Sequence, residues 1–415
     1  MRGDRTNRTA GRSVLRRRRL PWLRVGAAAL GYGCAGLGTE DSGAVRIEID
    51  TVGTTELVRS LGEAPEWPVT ELFSIGGIGA TSPAEEFAQV GTIAVDGEGR
   101  LYTADTGARA VQVFDSSGAW LRTIGRTGQG PGEYVRPYAI GLLGDTLVVV
   151  DPQNLRMGLF DPEGRWLGQL PYPPISGSNR VFQLGADRIA VLDMRRLDSG
   201  IETTYVTWTH GGPRDTVAAA APRPPRGEGP AVSLECPDDA TGIIHLYGSS
   251  FAPRAVRSPA PGGLAVESAP AGYRILLLTA TGDTIRVVQK GADEDAALSD
   301  ADWEREMARL DAFLADIPGV TCTPARPERT RLKRRVGEIF HDPAGRMWVE
   351  RWAEPEDTLS VYDVFTPEGA LTGTVRVLRR SRQAHQPVVW RDRLYLVTAD
   401  ELGVQSVRAY RFEEG

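Results

Sequence analysis

The feature that most constrains this chain is an internal echo. Residues 91–134 read GTIAVDGEGRLYTADTGARAVQVFDSSGAWLRTIGRTGQGPGEY, four short apolar runs separated by turns and closed by a glycine-rich segment and a tyrosine. Forty-six positions later, Asp105, Phe114, Gly118, Trp120 and Leu121 return as Asp151, Phe160, Gly164, Trp166 and Leu167. A repeat of that length with four strand-like runs is a blade-sized unit. One such unit cannot cover its own apolar faces, so copies must stack on one another, and a chain of 415 residues can do this as a single body.

Composition fits many short strands. The 48 glycines and 28 prolines supply frequent turns, and 41% apolar residues leave ample material for a core. Six blades can be counted. The first takes 92–95, 101–104, 110–114 and 121–124, the second 139–142, 146–150, 157–160 and 166–170. The third takes 182–184, 188–192, 205–208 and 215–217, with 218–230 expected as a loop. Blade four starts at 243–247 or 264–267 and continues through 274–278 and 284–288. The fifth uses 340–349, 361–365 and 371–377, and the last uses 387–390, 394–398 and 407–412. That last blade lacks a fourth strand. Residues 69–75 can provide it, because Ile75-Gly76 followed by Glu86-Phe87 matches Ile124-Gly125 followed by Glu133-Tyr134. An N-terminal strand pairing with the C-terminal segment would close the ring and remove exposed sheet edges. The expected fold is therefore all-β, a six-bladed β-propeller over 67–415 closed by an N-terminal strand.

A helix interrupts the pattern near residues 299–317, inside an insertion of 292–330. Ser299-Asp-Ala-Asp opens it with a hydroxyl cap and early acids, and Trp303, Met307, Leu310, Leu314 and Ile317 share one helical face before Pro318-Gly319. The stripe is expected to pack against the rim; a lid over the axial opening is the functional alternative.

The run Ile-Ala-Val-Asp-x-x-Gly-Arg-Leu-Tyr-x-x-Asp, then Val-Gln-Val-Phe-Asp-x-x-Gly, then Ile-Gly-Arg-x-Gly-x-Gly-Pro-Gly-Glu-Tyr (residues 93–134) resembles the bacterial six-bladed β-propeller proteins related to NHL repeats. Many of these are exported lipoproteins of uncharacterised role. The resemblance implies the fold and an envelope setting and transfers no catalytic residues.

Residues 1–33 hold nine arginines against Asp4, a net of +8, so the rest of the chain carries −14 of the formal −6 total. An acidic body is a poor partner for nucleic acid. The basic opening, the apolar run 25–33 and Cys34-Ala-Gly resemble a bacterial lipoprotein signal. Residues 1–34 are expected to direct export, with Cys34 lipidated and 35–66 forming a tether and first extended segment, 45–52. This places the protein in the cell envelope, lipid-anchored and facing the periplasm or exterior. No run of about twenty apolar residues suggests a spanning helix. Cys236 and Cys322 remain as a candidate disulfide, with two separate thiols as the alternative.

Residues 125–132 could pass for a phosphate loop, but such a loop opens a helix and here a strand follows; the glycines fit a blade-to-blade crossover. Asp105 and Asp151 are expected to accept backbone hydrogen bonds in turns, and Phe114, Phe160 and Phe365 to pack between blades. The four histidines, His210, His245, His341 and His385, show no ligand spacing, so no metal site or cofactor is assigned. Some relatives of this fold are lyases or lactone hydrolases with an axial divalent metal, and that is the alternative function. The favoured one is a monomeric module that binds a small molecule or an envelope protein and is more plausibly not an enzyme. The candidate ligand-binding residues, chosen by position in the crossovers, are Glu86, Arg126, Gln129, Glu133, Arg136 and Arg335.

Overall fold

In the computed structural model the described residues are 45–415, apart from 81, 172–179, 198–199, 224–230, 235–244, 249–255, 270–271, 292–296, 317–328, 330, 382–383 and 385. Cys34, Cys236, Cys322 and His385 lie outside them, and so do the expectations of a lipid anchor and a disulfide.

The first two blades form where the repeat places them. Blade one pairs Val90–Val95, Leu101–Asp105, Ala110–Phe114 and Trp120–Ile124 in sequence order, and blade two pairs Ala139–Leu143, Thr146–Asp151, Arg156–Phe160 and Trp166–Pro171. Blade five (Val336–His341, Met347–Arg351, Leu359–Phe365, Leu371–Leu378) has the same antiparallel order. Blade six consists of Val388–Trp390, Arg393–Ala399 and Gln405–Phe412, and Val69–Gly76 completes it by pairing antiparallel with the last of these, Val69 opposite Phe412. The ring is closed as the sequence implied.

Phe114, Phe160 and Phe365 are buried in separate clusters, each joining two neighbouring blades. The repeated hairpin Asp-x-x-Gly-Arg explains the sharp turns between strands. Asp96 accepts from the amides of Glu98 and Arg100, from Arg100 Nε at 2.6 Å and from Tyr102 Oη at 3.0 Å. Asp342 repeats this with Arg346 and the Trp348 indole.

Three stretches differ from expectation. In blade three the strands Ile189–Leu197, Gly200–Thr209 and Gly212–Arg223 are long, so residues 218–223 continue a strand instead of starting a loop. Blade four begins with Arg257–Ala260 and Leu264–Ser268, followed by Arg274–Leu278 and Thr284–Lys290, whereas His245–Gly248 pairs with Ala231–Leu234 in a separate ribbon. His245–Gly248 overlaps the run 243–247, one candidate start of blade four, but its partner, Ala231–Leu234, lies in the segment between blades three and four. The expected extended segment 45–52 is the strand Arg46–Val52, and it has a partner that was not expected. Arg46–Val52 and Thr55–Leu61 form a hairpin, and the second strand pairs parallel with Thr284–Lys290, extending blade four to six strands.

The N-terminal segment then continues along the outside. Thr374 N donates to Pro65 O at 2.9 Å, and Trp67 N donates to Thr374 O at 2.8 Å on the outer strand of blade five. Trp67 is buried there, stacked on Phe412 with centroids 5.7 Å apart. Residues 46–76 thus bind the outer strands of three successive blades.

The helix α1, Asp300–Ala315, starts at Ser299, whose side chain accepts from Asp302 N while Asp302 returns a bond to Ser299 N. Its buried positions are Asp302, Glu306 and Leu310, so the docking face is charged as well as apolar. Lys333 Nζ meets Asp302 at 2.5 Å, Arg309 meets Glu356 at 2.5 Å, and Arg305 meets Glu354 at 3.3 Å. Ile317 of the expected stripe lies outside the described residues.

Candidate site at the entry mouth of the axial channel

Antiparallel order within a blade puts two kinds of connection on each face of the ring. The turns joining first to second strands and third to fourth strands lie on one face, and all of them are short. The opposite face, where each innermost strand begins, receives the second-to-third turns and the crossovers between blades. On this entry face the prolonged strands of blade three run out, and the chain leaves and re-enters around the ribbon and around α1. The segments between Arg223 and Arg257 and between Lys290 and Val336, which break the repeat, therefore leave the last strand of one blade and return to the innermost strand of the next on this face.

The six residues expected to bind ligand all belong to crossovers on this face, but they are not one cluster. Arg126 and Glu133 come together, with Arg126 Nε donating to Glu133 Oε1 at 2.8 Å. Gly130 N also donates to that carboxylate at 2.8 Å, and these bonds, the backbone one foremost, hold Glu133 below the usual carboxylate range. Glu133 is thus engaged within its own loop. Gln129 is exposed and adds its amide to the same carboxylate. Arg136 lies over the Tyr138 ring at 5.4 Å, and Glu86 is exposed in the preceding crossover. Arg335, in another crossover, accepts from Trp352 N at 2.8 Å through its carbonyl.

The glycine-rich segment is a crossover. Residues 126–127 pair parallel with 133–134, and Gly125 has φ of +70°, with Tyr134 so close that a β-carbon would stand 2.3 Å from its ring. Tyr134 Oη accepts from Val111 N at 3.0 Å and donates to Ile124 O. Gly76 meets Phe87 in the same way. Asp105 accepts from the amides of Ala88, Gln89, Gly107 and Ala108, and Asp151 from those of Val135 and Arg136, so each ties a turn to an incoming crossover.

The residues that meet over the channel are others. Arg180 immediately precedes the innermost strand of blade three, Val181–Gln183, and Glu338 is in the innermost strand of blade five. Arg180 Nη2 donates to Glu338 Oε2 at 3.0 Å. Blades three and five are not neighbours, so this bond joins their inner strands past the inner strand of blade four. It continues outward into blade five: Arg380 lies 3.8 Å from Glu338 and 3.0 Å from Glu350, whose other oxygen accepts from Ser360 Oγ at 2.8 Å. Blade four contributes Arg257, held by Glu267 at 2.7 and 3.1 Å. Tyr205 packs edge-on to Phe182, and burial raises its hydroxyl pKa to about 12, the fields of Arg180 and Arg257 opposing the rise. Burial likewise disfavours the Arg380 charge, but Glu350, Tyr362 and Glu338 outweigh it and its pKa lies above the ordinary value.

Two buried atoms in this chain of charges have no hydrogen-bond partner among the described residues, Glu338 Oε1 and Arg380 Nε. Such groups carry a desolvation cost and mark a network that is incomplete. Sequence reading missed Arg180 and Glu338 because blade three is the worn repeat and pairing across the ring leaves no spacing signal. The one available hint was an arginine placed directly before an innermost strand.

An axial divalent metal does not fit these donors. Arg180 and Arg380 occupy the positions a cation would need beside Glu338 and Glu350. Among the described residues no three His, Cys, Asp or Glu side chains converge. His341 lies at the far end of the blade-five inner strand, and His210 in the turn between the last two strands of blade three.

Comparison with known proteins agrees with the strand pairing. None of the curated proteins matches the sequence. Among solved structures, a "Putative exported protein" of Bacteroides fragilis is similar at 11% identity, covering 84% of this chain and 95% of its own with a TM-score of 0.42. A member of the duf4221 family from Bacteroides vulgatus has 10% identity, 85% and 100% coverage and a TM-score of 0.39. A catalytically inactive virginiamycin B lyase from Staphylococcus aureus has 11%, 83% and 99%, and 0.38. Residues 79–204 match the family model DUF5128, described as a 6-bladed beta-propeller. By that match and by its own six sheets of paired strands, the chain is a six-bladed β-propeller.

Proposed function

We propose that this propeller is an exported binding module whose ligand enters the channel mouth at Arg180 and Glu338. The observation that carries the reading is the ion pair between the inner strands of blades three and five, with Glu338 7% exposed and its Oε1 unpartnered among the described residues, on the face where the crossovers between blades lie. A scaffold of rigid blades with variable insertions around one opening is how repeat proteins present a binding surface. The arginine-rich opening and Cys34 support delivery to the envelope and a lipid anchor, with the propeller body outside the cytoplasm and Cys236 and Cys322 able to pair there.

The test of the site is binding from an envelope extract or metabolite pool by the whole chain and by Arg180→Gln and Glu338→Gln. Loss of the captured ligand in both variants, with unchanged thermal unfolding, supports the mouth as the site. A ligand retained by both places binding elsewhere. Mass spectrometry of the mature N-terminus tests export: an unmodified chain starting well before Cys34 removes the anchor from the proposal. Peptide mapping without reductant tests the disulfide in the same sample.

A further inference from the structure

Resting on the reading of the entry mouth as the site, we infer that its ligand class is a small zwitterion, which inserts between Arg180 and Glu338. The two halves of the pair differ in freedom. The Arg180 side chain is 33% exposed and Glu338 only 10%, so Arg180 is the half that can swing aside. Glu338 stays where the Arg380 guanidinium and its strand hold it.

Opening the pair creates two needs at once. Among the described residues Glu338 then keeps Arg380, at 3.8 Å, as its ion partner and has Oε1 without a donor. Arg180 loses its acceptor. A lone anion serves Arg180 and strands a buried carboxylate; a lone cation serves Glu338 and strands the guanidinium. Leaving one member of a desolvated pair unmatched is the costly outcome, and a neutral hydroxylated ligand leaves both charges short of a counter-charge. A molecule with an ammonium and a carboxylate gives Glu338 a charged donor and Arg180 a charged acceptor.

The surroundings agree in charge. Around the mouth Arg180, Arg257 and Arg380 face Glu267, Glu338 and Glu350, so the site is balanced and a ligand of zero net charge keeps it so. Arg180 also covers the Phe182 ring at 5.2 Å. Its displacement uncovers an aromatic surface against which the ligand's carbon skeleton can rest.

The experiment is calorimetric titration of the full mature chain with the free α-amino acids and glycine betaine at millimolar concentration, each amino acid also as its N-acetyl and its methyl-ester form. The expected result is binding of at least one zwitterion, weakened roughly tenfold or more by blocking either terminus and by Glu338→Gln or Arg180→Gln, with Arg180→Lys retaining most of it. Thermal unfolding of each variant shows that the fold is kept. Equal binding of parent and blocked forms overturns the zwitterion class, and so does the absence of heat from every compound. If a ligand of another class binds and the same substitutions abolish it, the class is wrong and the mouth stands. If whatever binds is indifferent to Arg180→Gln and Glu338→Gln, both readings fall.

Discussion

Trp67 lies so close to Gly373 that a β-carbon on Gly373 would stand 2.1 Å from the indole. Neither residue is in a turn. Gly373 is in the outer strand of blade five, and its missing side chain is the seat that lets the N-terminal segment cross that blade. Gly373→Ala is therefore expected to unseat Trp67 and destabilise the protein by about 1–3 kcal/mol, as overpacking does. Trp67→Ala should cost more, about 3–5 kcal/mol, since its ring also packs on Trp348 and Phe412. Urea unfolding followed by tryptophan fluorescence measures both; an unchanged midpoint for Gly373→Ala would show that the segment can lift off without consequence.

The crossover after blade one depends on a hydroxyl that its counterpart lacks. Tyr134 bonds Val111 N and Ile124 O, whereas Phe87 fills the equivalent place beside Gly76 by shape alone. Tyr134→Phe should lower stability by about 1–3 kcal/mol by leaving buried backbone groups unpaired, with the crossover otherwise in place. Chemical denaturation gives the size, and amide exchange at Val111 should accelerate.

His341 gives a pH dependence with a definite sign. Burial is the larger influence and pushes its pKa down to about 4, with Asp342 opposing; in the unfolded chain a histidine titrates near 6.5. Between those values the unfolded state holds a proton that the folded state does not, so stability rises with pH from about 4 to about 6.5 and is lost on acidification through that window. The loss attributable to this one group is on the order of 3 kcal/mol. It should appear as the difference between wild type and His341→Gln, which lacks the titrating group, measured as unfolding midpoints across pH 4–7. Parallel curves for the two proteins would refute it.

The docking of α1 should be sensitive to salt. Its contacts with 333 and 354–356 are charge pairs, several partly open to solvent. Raising ionic strength from about 0.1 to 1 M shortens the screening length from roughly 10 to 3 Å. Amide exchange in 300–315 should then quicken, while the buried strands of blades one and two stay protected. Glu356→Ala should reproduce part of the effect at low salt, at no more than about 1 kcal/mol.

How much of this could be read in the residues follows from what repetition records. The strands around Asp105 and Asp151, the crossover pinned by Tyr134 and the closing role of 69–76 were legible because each appears at least twice in the sequence. Blade four was legible only in part. Its strands Arg257–Ala260 and Leu264–Ser268 are short and carry Ser258, Pro259 and Glu267, so they lack the apolar alternation that marks their counterparts. Of the hairpin of residues 46–61 the first strand was legible as the extended segment 45–52; the second was not, because its partner, Thr284–Lys290, is remote in sequence and the pairing is parallel. Arg180 and Glu338 were invisible for the same reason: a contact across a ring depends on the positions of two blades and leaves no local pattern. The crossover residues Arg126 and Glu133 were found by position, and the structure shows them occupied with each other.

The closing pair of strands also sets a timetable. Val69 lies opposite Phe412, so a strand made early in synthesis waits for a partner at the far side of the whole propeller sequence. Contacts between such distant positions close slowly, since the intervening chain must first be gathered. On the ribosome the ring cannot be completed until Phe412 has emerged. Individual blades can assemble as they appear, but the finished circle waits for that strand.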